Sequence, residues 1–142
     1  MHLELPYRLS ATGIVGLAAL SATHWLRENV SDPGPVLAFA LGVMPNMAAA
    51  FAMPLILASF TPRTSGMPVT EVSRLAYARV LSFTTLGLCG WELIQTQSER
   101  FVFDLYDILA TGFGAILAYS AFNWHARRVR GGGSVPTLRG KA

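Results

Sequence analysis

Residues 35–60 read PVLAFALGVMPNMAAAFAMPLILASF. The stretch holds no Asp, Glu, Lys, Arg or His, and its only polar side chains are Asn46 and Ser59. A helix of this length, rising 1.5 Å per residue, crosses a hydrocarbon layer of about 30 Å. A helix on the surface of a soluble domain needs a polar face, and this one has none. The stretch therefore predicts a transmembrane helix. Pro45 and Pro54 each remove a helix hydrogen bond, so a kink is expected at Met44–Met47 and a second break at Pro54.

Three further apolar stretches flank it, at about residues 7–25, 75–97 and 105–124. Pro6 suits a helix start, where its missing N–H would have no partner anyway. The connections are short and polar. Arg27 to Gly34 ends in Asp32-Pro33-Gly34, a turn signal, and Thr61 to Ser73 contains Pro62, Gly66 and Pro68. The stretch near the N-terminus has no basic cluster before it and a poor cleavage site after it, so it reads as a retained helix. Apolar residues make up 52% of the 142 and charged residues 13%, too few to coat a small soluble domain. The expectation is an all-α polytopic integral membrane protein, a bundle of four transmembrane helices. Residues 1–130 form its single domain. Residues 131–142, glycine-rich and basic, form a disordered tail.

Orientation follows from charge. Arg8, Arg63, Arg74, Arg79, Arg127, Arg128, Arg130, Arg139 and Lys141 fall on one side of such a four-span chain, and Arg27 and Arg100 on the other. The basic-rich side is cytoplasmic by the positive-inside rule, so both termini are expected inside the plasma membrane. Tyr7, Tyr77 and Trp124 are expected in the inner aromatic belt, Trp25 and Tyr106 in the outer one. The basic C-terminal end abuts an apolar helix, which marks a membrane surface and not a nucleic-acid partner.

Several chemistries have no support in the residues. Cys89 is single and lies in an apolar run, a packing position. His2, His24 and His125 are spread over the two sides and build no metal site. Gly131-Gly132-Gly133 lacks the strand and helix of a phosphate loop. No cofactor and no Ser-His-Asp set is indicated. Gly13, Gly16, Gly112, Gly114 and Ala48–Ala50 suit close helix packing.

Glu92 is the most informative residue. It sits in the outward half of the third span, where a carboxylate costs up to about 2.5–3.5 kcal/mol and needs a partner. Gln95 and Glu99 share its helix face. Arg100, Asp104 and Asp107 follow across a short loop, and Thr111, Gly114 and Ala118 continue the stripe from Asp107. The hairpin thus gathers Glu92, Gln95, Arg100 and Asp107 near the outer surface. One reading is a structural clamp in which Arg100 pairs the acids. The other is a polar site open to a ligand. Asn46, in mid-span after Pro45, reads first as an interhelical tie.

Gly90-Trp91-Glu92-Leu93-Ile94-Gln95, then Arg100, then Asp104-Leu105-Tyr106-Asp107-Ile108-Leu109-Ala110-Thr111-Gly112-Phe113-Gly114-Ala115, resembles the signature of VanZ-like membrane proteins. That signature runs roughly Glu-x-x-Gln, a basic residue, then Asp-x-x-x-Asn-x-x-Gly. Thr111 stands where the family has Asn, keeping a hydroxyl but losing the amide. The resemblance implies a polar site at Glu92, Gln95, Arg100 and Asp107, with Gly114 as a packing position. It also implies a setting in the bacterial cell envelope, since the family is named after a protein associated with teicoplanin resistance.

Two functions are expected from these readings. The first is a non-catalytic envelope protein. Its outward site (Glu92, Gln95, Arg100, Asp104, Asp107 and Thr111) binds a lipid headgroup, a cell-wall precursor or an amphiphilic antibiotic such as a glycopeptide. The second is a membrane enzyme acting on a lipid-linked substrate at the outer leaflet, with Asp107 or Glu92 as general base. The lack of a clear nucleophile favours the first. Four spans enclose little volume, and a homo-oligomer would enclose more.

Overall fold

The computed structural model describes residues 5–61, 69–95 and 104–131. They form four helices: α1, Leu5–Asn29; α2, Pro35–Ser59; α3, Val69–Gln95; and α4, Leu105–Gly131. α2 packs against each of the other three, and α4 also meets α1 and α3. The short 30–34 connection turns the chain back between α1 and α2. Contacts along the helices show that α2 and α4 run in the same direction, antiparallel to α1 and α3. Phe39 meets Tyr106 at one end of the α2–α4 pair, and Ala50 meets Gly114 further along it.

Three helices, α1, α2 and residues 105–129 of α4, are long and apolar enough to cross a membrane. The sequence reading expected four. α3 falls short because Arg74 and Arg79 occupy its first half, Glu92 its last turn, and Thr84, Thr85, Gly87 and Gly90 dilute the apolar residues between. It is also the most amphipathic of the four.

The helix ends also differ from the apolar runs. α1 continues to Asn29, α3 begins at Val69 and α4 continues to Gly131, so the expected tail starts on a helical residue. Apolarity locates only the part of a helix suited to lipid, whereas polar turns such as 125–131 remain helix-competent. The first glycine of the Gly131-Gly132-Gly133 run ends α4. The rest of the tail, 132–142, lies outside the described residues. α2 is a continuous helix through Pro45 and Pro54, with Pro35 in its first turn.

Three glycines set the close approaches. A side chain at Gly13 or Gly16 would collide with Ile56, Phe51 or Ala52 of α2. One at Gly114 would collide with the main-chain oxygen of Met47. Gly112, by contrast, has nothing within 4 Å of where a Cβ would lie, so it is not a packing glycine.

The core sits toward the end that holds Leu5 and the C-terminal part of α4. There Leu5, Leu9, Leu55, Tyr77, Ala118 and Phe122 are buried together. Tyr77 and Phe122 stack in parallel, with centroids 4.0 Å apart. The outer faces carry large apolar side chains: Val36 is 83% exposed, Phe83 78% and Leu86 71%. This is the reverse of a soluble protein's distribution.

One placement corrects the expected aromatic belts. Tyr77 is buried in the core, because its ring fills the α3–α4 contact against Phe122. His125 is buried too. Its Nε2 lies 2.9 Å from Thr12 Oγ1 of α1, a contact that fixes the ring between the helices. Tyr7, Trp25, Tyr106 and Trp124 are exposed.

Candidate functional site

Asn46, one residue after Pro45 on α2, points its amide across to α3. Its Nδ2 donates to Glu92 Oε1 at 3.0 Å. Asp107, on α4, is near enough for its charge to act on Glu92.

Glu92 is 3% exposed. Its second oxygen, Oε2, is buried without a hydrogen-bond partner. A carboxylate offers about four acceptor positions, and here one is used. Burial of such a group without donors is costly, so the carboxyl must hold a proton, a further donor or a cation.

Asp107 is half-buried in the first turn of α4. Thr111, one turn on, is fully buried, and its Oγ1 also lacks a partner. Asp107, Thr111 and Gly114 are spaced by four and three residues, so they share one helix face. Gly114 presses against Met47 and Ala50, which places that face on α2 beside Asn46.

Asp104 is exposed and has a local task. It precedes α4, and its Oδ1 accepts from the Tyr106 backbone N–H at 2.9 Å, a helix N-cap. Its charge still reaches both Glu92 and Asp107. Gln95 is the last residue of α3, with its side chain outside the described residues. Arg100 and Glu99 lie outside them altogether. Of the residues named from sequence, the structure therefore brings together Asn46, Glu92, Asp107 and Thr111, with Asp104 at the edge.

One contributor was not foreseen in the sequence. Arg27, at the end of α1, is the described basic residue whose charge acts on Asp107. The signal for it was available: Arg27 is one of only two basic residues expected on that side. Arg100, expected in such a role as the basic residue of the loop between α3 and α4, lies outside the described residues. Asn46 was singled out as a tie between helices, but its partner could not be named from a separation of 46 residues.

Among the described residues, no three His, Cys, Asp or Glu side chains are placed to hold a metal ion. Comparison of the chain with protein-family models, curated proteins and solved structures gave no match.

Proposed function

We propose that this chain is an integral membrane protein, a bundle of four transmembrane helices with both termini in the cytoplasm. Its Asn46–Glu92–Asp107 site binds the polar headgroup of an amphiphile at the outer side. The observation that carries the reading is the state of Glu92: a buried acid, held by one amide, with a second oxygen open to a donor. Ionisable groups within membrane helices line functional sites by default. The exposed apolar faces of the helices support a lipid surrounding, and so does the nine-to-two division of Lys and Arg. α3, which lacks a membrane-length apolar stretch among the described residues, crosses in this reading because α2 and α4 cover its acid. The resemblance to VanZ-like proteins rests on residues of this same site, and it puts the headgroup within envelope chemistry: a lipid, a cell-wall precursor or an amphiphilic antibiotic.

The test is extraction and mass spectrometry of amphiphiles that co-purify with the protein in a neutral detergent. A species retained by the wild type and lost from both Glu92→Gln and Asp107→Asn is the expected result. Identical profiles in all three would overturn the reading. Conversion of the bound species on incubation would move the site to the enzyme reading.

A further inference from the structure

The acids of the Asn46 site are ordered by depth. Asp104 is exposed, Asp107 half-buried and Glu92 buried. Negative charge thus leads from the surface at the start of α4 inward to Glu92 Oε2. Arg27 acts on Asp107, at the shallower level.

Independently of the acids, Thr111 Oγ1 is fully buried and unpartnered on the α4 face that meets α2. A hydroxyl can accept as well as donate. Asn46 ties Glu92 to α2, and Gly114 seats the Asp107–Thr111 face of α4 on α2 at Met47, so Glu92 Oε2, the Asp107 carboxylate and Thr111 Oγ1 lie at one junction of α2, α3 and α4. A cationic nitrogen makes charge-assisted hydrogen bonds to such acceptors.

We infer that the site takes a primary ammonium group, held by Glu92 Oε2, the Asp107 carboxylate and Thr111 Oγ1. Three N–H donors meet three acceptors, and one positive charge offsets one of the two carboxylates. The ammonium belongs to an amphiphile, because Trp91, Leu93, Leu105 and Leu109 around the site are exposed and apolar. An alkyl chain along them leaves its head at the acids. This inference rests on the reading of the site as a headgroup site and names its chemical class.

The experiment measures binding of dodecylamine, dodecanol, dodecyl phosphate and free spermidine to the full-length protein in neutral detergent. The variants are Glu92→Gln, Glu92→Asp, Asp107→Asn and Arg100→Ala, with helicity by circular dichroism as the folding control. Dodecylamine should bind the wild type, and about tenfold more weakly to Glu92→Gln and Asp107→Asn, as expected for loss of a hydrogen bond to a charged group. Glu92→Asp, which keeps the charge, should retain most of the affinity. Glu92-dependent binding of the phosphate in preference to the amine would overturn the ammonium assignment and leave the headgroup reading standing. Spermidine binding as tightly as dodecylamine would overturn the amphiphile as the source. Amine binding only in Arg100→Ala would show that the chain's own guanidinium fills the site, and would overturn the inference. Binding of none of the four would sink both it and the headgroup reading.

Discussion

Asn46 Nδ2 and Glu92 Oε1, 3.0 Å apart, join the middle of α2 to the last turns of α3. The contact explains how a helix carrying a buried acid can pack in an otherwise apolar set. It also makes Asn46 more than a spacer beside Pro45, since its amide donates to the buried Glu92 carboxylate while the other oxygen has no partner.

Removal of that amide should be felt through Glu92. Asn46→Ala leaves Glu92 Oε1 without its donor and should lower stability in detergent. Glu92→Gln, which keeps the shape and removes the charge, should be milder. A double-mutant cycle of the two should give a coupling near 0.6 kcal/mol and below about 2, the range of polar contacts between membrane helices. Unfolding by a denaturing detergent measures it. A coupling of zero would mean that the two side chains do not depend on each other.

The Gly114 contact separates packing from composition. Gly114→Ala places a methyl group against the main-chain oxygen of Met47, which cannot move aside as a side chain end can. The α2–α4 contact must then widen, at about 1–3 kcal/mol for overpacking. Gly112→Ala, two residues away, meets nothing within 4 Å and should be neutral or slightly stabilising through its better helix propensity. Comparable thermal midpoints for the two variants would refute the close approach.

These glycines show where a sequence stops being informative. The apolar runs and the misplaced acid at Glu92 were legible, because a bilayer-length run and a lone carboxylate are properties of composition. Gly114 was legible as a packing position from the stripe it shares with Asp107 and Thr111, but Gly112, in the same apolar run, also read as packing, because the rotation of α4 is set by α2. Tyr77 misled for a related reason. A tyrosine near a span end suits an interfacial belt, and only the partner ring of Phe122, 45 positions away, turns it inward. Asp104 was read with the site acids although its nearer duty is to cap α4, a local role visible only in the bond to the Tyr106 N–H.

The Tyr77 hydroxyl is itself a test of the core. It is buried and makes no hydrogen bond, so it contributes desolvation cost and no compensating contact. Tyr77→Phe should therefore keep or raise the thermal midpoint, since the ring stack on Phe122 survives. Tyr77→Ala removes the ring and should cost about 3–5 kcal/mol, the range for an aromatic lost from a packed core. Destabilisation by Tyr77→Phe on the same scale as Tyr77→Ala would mean that the hydroxyl has a partner.

The number of spans is decided at α3. Three helices meet the requirement for crossing a membrane on their own, and α3 does not. If α3 lay outside the membrane, the three remaining crossings would leave the two termini on opposite sides. If it crosses, both termini share a side. The second outcome is expected, because Asn46 of α2 bonds Glu92 near one end of α3 and Phe122 of α4 stacks on Tyr77 nearer the other, contacts that lay α3 alongside α2 and α4. Reporter fusions at residue 1 and residue 142, active on one side of the membrane only, read this directly. Both should report the cytoplasm, given the basic residues near the two ends. A cysteine introduced at the exposed Asp32, in the connection between α1 and α2, should be labelled from outside by an impermeant thiol reagent. Opposite reports from the two termini would leave three spans and detach α3, and with it Glu92, from the site.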